Sequence, residues 1–405
     1  MIFAWHEKFI FSEMAVRRIA LSTEYTFHNK IRLVKGGHQY FDTLEEMIIS
    51  AKKTIHFQTY IYDDDTTGRR ITDALKKAAE RGVAVYLLTD AYASKSLGKD
   101  FEKEMSDAGV HFRRFEPILQ SKYFYYGRRL HHKIVVTDAC YSLVAGVNIS
   151  DRYNDLPGQP AWLDWALFSE GEVSYELFKV CLEMWHKSHA NAVRELREQK
   201  APAINSNWQC AVKVRRNDWV HRHNQITRSY LGMLRNAEEK IIIMSSYFLP
   251  GRAIRRYIRR ASARGVDISV MLAGKSDIPI AKYAEKYIYH WLFKNNIHVY
   301  EYPSRVLHGK ISTYDDKWVT VGSYNVNNIS AFASVELNLD IENKEFAKDV
   351  RKKLEDIIEN ECVLVTAENY SNNNNIFNRL MQVAAYEVIR FMVYLFTFYV
   401  KQQKT

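Results

Sequence analysis

One pattern occurs twice along this 405-residue chain, and any fold that accommodates it must be built from two like halves. Ile71, Ala74, Leu75 and Ala78 recur at i, i+3, i+4 and i+7, the apolar stripe of an amphipathic helix. Arg81-Gly82 ends that helix, and Val83 to Leu88 follows as a strand. The second copy begins at Ile254. There Ile254, Tyr257, Ile258 and Ala261 form the stripe, Arg264-Gly265 the stop and Val266 to Leu272 the strand. Upstream, Ala51-Lys52-Lys53 to Phe57 answers Ala237-Glu238-Glu239 to Ile243. Each half therefore reads strand, helix, strand, then another helix and further strands. This predicts an α/β fold of two fused halves, each a mixed sheet flanked by helices. The polar segment 199–208, which contains Pro202, separates them as a linker. The expected division is an N-terminal extension at 1–28, a first half at 29–198, a second half at 209–370 and an apolar tail at 371–405.

Near the end of each half stands H-x-K-x4-D: His131, Lys133 and Asp138, then His308, Lys310 and Asp315. Strand side chains alternate faces, so in a strand from Leu130 to Val136 the His131 and Lys133 side chains share one face while Ile134 and Val136 enter the core. A glycine-containing strand end follows each motif, Ala145-Gly146-Val147-Asn148 and Val321-Gly322-Ser323-Tyr324-Asn325. Small residues there admit a phosphate close to the backbone, where the amides of Asn148 and Asn325 can donate to its oxygens. A single H-x-K is weak evidence among 14 histidines and 57 lysines and arginines. Two copies in register within a duplication are not explained by chance.

With these residues the chain resembles the phospholipase D superfamily, from about Lys30 to Val363, and within it the short bacterial cardiolipin synthases that lack N-terminal transmembrane helices. Asn29-Lys30-Ile31-Arg32-Leu33, the Leu307-His308-Gly309-Lys310 form of the second motif, Val321 to Asn325 and the apolar C-terminal tail carry the closer likeness. The resemblance implies two halves about a pseudo-twofold axis with one active site between them. One imidazole attacks phosphorus; the other protonates the leaving alkoxide and then deprotonates the acceptor hydroxyl. By analogy His131 is the nucleophile and His308 the acid/base, an order the sequence by itself does not set. Lys133, Lys310, Asn148 and Asn325 would hold the phosphoryl oxygens. Asp164 and Glu336, downstream of the motifs, would hold the imidazoles in one tautomer. Asp138 and Asp315 are expected to brace the loop after each strand, and neither a metal nor another cofactor is expected.

The implied reaction is phosphatidyl transfer from phosphatidylglycerol, or a donor such as phosphatidylethanolamine, to the hydroxyl of a second phosphatidylglycerol, giving cardiolipin. Hydrolysis by the same residues with water as acceptor is the alternative. An endonuclease of this superfamily is a further one, although its minimal nucleases carry one motif per chain, and nucleic acid is not an expected partner. A net charge of +10 suits a polyanionic partner or serves solubility. Cys140, Cys181, Cys210 and Cys362 lie far apart without metal-ligand spacing, as in a reducing compartment. His6, Glu7 and Lys8 interrupt the first eleven residues, so no secretory signal is read there. The expected location is peripheral or monotopic, on the cytoplasmic face of the bacterial membrane. Oligomeric state is not legible.

Several segments admit two readings. Asp63-Asp64-Asp65 resembles a metal cluster but precedes a helix near Thr67, whose dipole it complements. Arg252, Arg255, Arg256, Arg259, Arg260 and Arg264 make either a solvated face or an anionic-lipid patch. Lys122 to Arg129 mixes aromatic and basic residues, as an interfacial loop or a surface for stacking single-stranded nucleic acid does. Ile376 to Val400 is apolar, but only Phe391 to Val400 is free of charge, well short of the roughly 20 residues of a span. It is a core helix or, as its position beyond the linker Asn372 to Asn375 favours, a helix lying in the membrane interface together with an anionic surface.

Overall fold

In the computed structural model, which describes residues 24–117, 128–186, 189–198, 201, 203, 205–221, 223–332 and 334–402, the two repeats become two mixed sheets. The first half runs β1 (Asn29–Lys35), α1 (His38–Ser50), β2 (Thr54–Thr59), α2 (Thr66–Glu80), β3 (Ala84–Asp90), α3 (Lys99–Asp107) and β4 (His111–Phe115). It continues with β5 (Arg129–Leu130), β6 (Ile134–Thr137), β7 (Tyr141–Ala145), β8 (Trp165–Gly171), α4 (Glu172–Trp185) and α5 (His189–Glu198). The second half begins with β9 (Ala211–Asp218), β10 (His223–Asn224), α6 (Gln225–Asn236), β11 (Lys240–Ser245), α7 (Arg252–Ala263), β12 (Asp267–Ala273), α8 (Pro279–Tyr287), α9 (Tyr289–Lys294) and β13 (His298–Tyr302). It ends with β14 (Ile311–Tyr314), β15 (Trp318–Gly322), α10 (Asn328–Phe332), β16 (Ser334–Glu342), α11 (Lys344–Glu361), β17 (Val363–Val365), α12 (Ala367–Asn373) and α13 (Ile376–Gln402).

Strand order is β1-β8-β7-β6-β2-β3-β4 in one sheet and β10-β9-β16-β15-β14-β11-β12-β13-β17 in the other. The run β6-β2-β3-β4 of the first repeats as β14-β11-β12-β13 in the second, parallel except where β6 and β14 join. Each helix stripe lands where its periodicity requires. Ile71, Leu75 and Ala78 of α2 pack with Leu44 and Ile48 of α1 on the outer face of the first sheet, and Ile254, Ile258 and Ala261 do the same with Tyr230 and Leu234 on the second. The arginine-glycine stops are equivalent as well. Arg81 donates to the carbonyls of Ile48 and Ile49, Arg264 to those of Leu234 and Ala237, and Gly82 and Gly265 take the left-handed turn at φ 86° and 90°. Arg264 thus anchors a helix and does not belong to a free basic face.

The inner faces meet in one shared core. Ile134, Val136, Val144 and Leu167 of the first sheet pack with Ile242, Met244, Val319, Val321 and Leu337 of the second. Burial of this seam fixes the halves face to face. One strand even changes partner: β5, from the first half, pairs in parallel with β16 through Arg129 opposite Ser334 and Leu130 opposite Val335.

Asp138 and Asp315 stand in equivalent turns with φ of 53° and 49°. The Asp138 carboxylate accepts from the backbone N–H groups of Lys52, Lys53 and Thr54 at 2.9, 2.7 and 3.0 Å. Asp315 accepts from those of Glu238, Glu239 and Lys240 at 2.6, 2.9 and 2.7 Å. Each motif aspartate thus fastens the entry of the neighbouring central strand. Asp138→Ala should cost about 2–3 kcal/mol, because three donors lose a charged acceptor and alanine is poorly suited to a positive φ. Asp138→Asn should cost less, and thermal unfolding of the two variants checks the order.

Asp65 caps α2, its side chain accepting from Gly68 N, while Asp64 pairs with Arg69 and Asp63 with Arg152. Among the described residues, no group of three or more His, Cys, Asp or Glu side chains gathers as a metal site. The described part of the segment before the first motif begins again at Arg128, so Lys122 to Gly127 lie outside the described residues.

At the C-terminus the asparagine run is no free linker. Asn374 is buried, and its carboxamide exchanges hydrogen bonds with Gln382, while Asn375 accepts from Asn378 N at the start of α13. The helix α13 packs on α8 through Gln382, Ala385 and Tyr386, the ring of the last lying 4.5 Å from that of Tyr287 and tilted 31° to it. Its large apolar side chains face outward: Ile376 is 79% exposed, Phe377 66%, Leu380 64% and Phe391 59%. It is therefore not a core helix. Among the described residues no helix is long and apolar enough to cross a membrane.

Candidate active site

Residues 130–136 are not one strand, as alternation alone predicts. β5 stops at Leu130 because it is paired to the second half, β6 starts at Ile134 because it is paired to β2 and β7, and His131 to Lys133 cross between the sheets. His131 N donates to Val335 O across the seam at 2.9 Å. The second motif crosses likewise. Leu307 bridges to Leu163, and both His308 N and Gly309 N donate to Leu163 O, at 2.8 and 2.9 Å. Ile134 and Val136 do enter the shared core. His131 meets Tyr60 edge-on at 4.8 Å, and the Lys133 ammonium lies 5.0 Å from the centre of the same ring. His132 turns away, its Nδ1 3.1 Å from Gln58 Oε1.

The two imidazoles are held by crossed carboxylates. Nδ1 of His131 lies 2.8 Å from Glu336 Oε2 on β16, and Nδ1 of His308 lies 2.6 Å from Asp164 Oδ2 at the entry to β8. Spacing along the chain associates Asp164 with His131 and Glu336 with His308; folding pairs each acid with the histidine of the other half. An ionised carboxylate only accepts, so Nδ1 of each ring carries the proton and Nε2 keeps the lone pair; Lys310 Nζ, 2.9 Å from the same His308 Nδ1, donates instead to the His308 carbonyl. Among the described residues nothing hydrogen-bonds either Nε2. Each acid is further fixed: Trp165 N donates to Asp164 at 2.8 Å, and the Ser323 hydroxyl donates to Glu336.

Burial sets the charges. It pushes the Lys133 ammonium down to about 7 and that of Lys310 to about 8. Burial, and then the neighbouring Lys310, pushes His308 down to about 4, and burial also lowers His131 despite Glu336. Burial would raise the Asp164 carboxyl, but Lys310 and the His308 bond outweigh it and hold it below the usual range. At neutral pH both rings are uncharged. A bound anion drawing on both ammonium groups would meet them charged below about pH 7 and would lose affinity as pH rises through about 7 and 8. Titration of dimethyl phosphate binding, a ligand that stays singly charged over this range, by calorimetry against pH checks this, and an affinity that rises over that interval would contradict it.

Asn148 is buried, with Oδ1 accepting from Ile61 N at 3.2 Å and Nδ2 donating to the Tyr153 hydroxyl at 2.8 Å. Asn325 is also buried, and its Oδ1 has no partner among the described residues. Gly146 serves a purpose other than phosphate access. A Cβ there would lie 2.3 Å from Asp164 Oδ1, so this glycine makes room for the carboxylate behind His308. Sequence reasoning missed the rings around the imidazoles: Tyr60 on His131, and Tyr153 and Trp162 on His308 at 5.1 and 5.9 Å. The repeat held no signal for the first, since in the register that matches Ala51 with Ala237 the residue answering Tyr60 is Ser246.

Comparison with known proteins agrees with this architecture. The family described as cardiolipin synthase, PLD-like domain, matches residues 44–158 and 230–358. Cardiolipin synthase B of Salmonella typhimurium is 34% identical over 376 residues, covering 89% of this chain and 88% of that protein. Cardiolipin synthase B of Escherichia coli K12 is 33% identical over 348 residues, covering 82% and 81%. Among solved structures, phosphatidylserine synthase of Haemophilus influenzae Rd KW20 superposes with a TM-score of 0.69 at 14% identity, over 95% of this chain and 98% of that one, a likeness of fold.

Proposed function

The chain belongs to the cardiolipin synthase family of phospholipase D-like proteins, and from that premise we propose that it joins two phosphatidylglycerol molecules into cardiolipin through a phosphatidyl-histidine intermediate. It is an enzyme, a phospholipase D-type phosphatidyltransferase acting on phospholipids. The observation that carries the finer reading is the crossed pair of carboxylate–imidazole contacts, which leave two Nε2 lone pairs unengaged in a site that also holds two buried ammonium groups.

In this reading the donor phosphodiester lies between Lys133 and Lys310, and its negative charge favours protonation of His308, which is neutral in the empty site. Nε2 of His131 forms a bond to phosphorus as the bond to the headgroup oxygen breaks. The leaving oxygen takes the proton of His308 Nε2 and departs as glycerol. The hydroxyl of a second phosphatidylglycerol then returns a proton to His308 and attacks phosphorus, and the P–N bond breaks. Glu336 and Asp164 keep the two Nδ1 protons in place throughout and stabilise the imidazolium as it forms. The assignment of nucleophile to His131 follows the family order. Incubating purified protein with labelled phosphatidylglycerol in mixed micelles tests the reaction. Labelled cardiolipin is expected; phosphatidic acid as the sole product would mean that water is the acceptor.

The outward apolar face of α13 supports an interfacial location, and the side proposed for it is the cytoplasmic one. A fully buried large apolar side chain contributes about 1.5–3 kcal/mol, so partial insertion of several gives several kcal/mol of membrane affinity. A chain ending near Asn372 should stay folded, leave liposomes in flotation and still cleave a water-soluble phosphodiester. Precipitation, or a large fall in melting temperature, would make α13 a structural helix instead.

A further inference from the structure

Between α8, α12 and the start of α13 lies a cavity of about 340 Å³ that the reaction above does not use. Lys282, Lys286, Tyr370, Asn374, Asn378 and Gln382 line it, and no Asp or Glu does. Its walls are tied by their own hydrogen bonds: Asn374 with Gln382 at 2.9 and 3.3 Å, and Tyr370 with Gln382 and with the Lys286 carbonyl at 2.8 and 2.7 Å. Lys282 is committed to Glu285 and Glu301, at 2.9 and 2.8 Å. Lys286 has no ion-pair partner among the described residues, so its charge remains available to a ligand.

The surroundings are the opposite of the floor. Tyr283 and Tyr287 on α8 are 38% and 41% exposed, Ile280 is also exposed, and α13 presents Phe377 and Leu380 outward. A polar, cationic recess opening among exposed apolar side chains suits an amphiphile with an anionic, hydroxyl-bearing head. Its size agrees: it falls at the small end of the roughly 300–1,000 Å³ of ligand pockets, enough for a headgroup and not for acyl chains.

We propose that this cavity is an accessory site for the phosphate-bearing headgroup of an anionic phospholipid, distinct from the candidate active site, with the lipid tails lying on the apolar surfaces of α8 and α13. Lys286 meets the phosphate; Asn378, Gln382 and Tyr370 meet the headgroup hydroxyls. An occupant would tie α13 to α8 and orient the enzyme on an anionic surface. The inference stands on this recess and its rim, whatever acceptor the active site uses.

The test uses the full chain, with vesicles of phosphatidylcholine alone or mixed with phosphatidylglycerol, and with soluble glycerol 3-phosphate. Lys286→Gln should weaken binding to the mixed vesicles about tenfold or more, as a charged hydrogen-bonding group does on removal. Arg256→Gln, which removes an exposed charge of α7 outside the recess, should weaken it no more than about fivefold, the loss expected for one surface charge. Asn378→Leu, which keeps the charge, should weaken it too, while hydrolysis of a soluble phosphodiester stays unchanged in all three. A rise in melting temperature with glycerol 3-phosphate, present in the wild type and absent in Lys286→Gln, would show that the site also takes a free phosphate from solution. Equal losses in Lys286→Gln and Arg256→Gln, with no effect of Asn378→Leu and the same thermal response throughout, would overturn the proposal.

Discussion

His131→Ala and His308→Ala should each reduce turnover by about 10⁴-fold or more, and the double variant should be hardly worse than either. The reason lies in the division of labour: one Nε2 makes the bond to phosphorus, the other supplies and recovers the proton, and neither ring can reach the other's position. Both histidines sit where the chain crosses between sheets, held by backbone bonds to Val335 and Leu163 of the opposite half. Truncating a side chain there leaves those bonds intact, so melting temperature should change little. Near-normal activity in either folded single variant would contradict a site shared between the halves.

The second large effect is expected from Glu336→Gln and Asp164→Asn, about 10²–10⁴-fold each, by analogy with the loss of a tautomer-fixing carboxylate in hydrolytic triads. A carboxamide can present its N–H₂ to Nδ1, and the ring proton then moves to Nε2, where His131 needs a lone pair to attack phosphorus and His308 needs one to take the acceptor's proton. The crossing makes this prediction specific. Glu336→Gln should alter the Nδ1–H resonance of His131 and leave that of His308, and Asp164→Asn should do the reverse. Resonances that respond within the same half would contradict the 2.8 and 2.6 Å contacts. A merely structural role for the acids would lower melting temperature without changing which ring responds.

Much of this was legible from the repeat. The helix stripes, the arginine-glycine stops and the two H-x-K-x4-D motifs marked out two α/β halves, because helix and strand periodicities are local and survive in the sequence. What crosses the seam was not legible. Asp164 lies at a similar distance from His131 as Glu336 does from His308, and spacing along a chain carries no information about which half an acid will face. The break after Leu130 was hidden for the same reason: residues 130–136 alternate like a strand, and only the pairing of β5 with β16 ends it. Gly146 read as phosphate access, whereas its missing Cβ makes room for Asp164, a contact some twenty positions away. At the C-terminus composition announced an apolar helix, but not that Gln382 and Ala385 would face the protein while Phe377 and Leu380 face outward. That inversion appears only once α8 is in place. The cavity behind Lys286 has no sequence signature at all, since its lining comes from α8, α12, α13 and the loop at Ser276.

The most direct test of the account is capture of the covalent intermediate. Phosphatidyl-p-nitrophenol labelled in its phosphatidyl portion, whose leaving group departs without a proton, is mixed with the His308→Ala variant, in which His131 can still attack phosphorus but no base activates the acceptor, and the reaction is quenched at alkaline pH, where phosphohistidine survives. Mass spectrometry of the digested protein should find one phosphatidyl group on the peptide carrying His131, and none when His131 is also replaced. Label on the His308 peptide in the reciprocal His131→Ala variant alone would reverse the two roles. Turnover by the wild type with no adduct on either histidine would contradict the double-displacement mechanism itself.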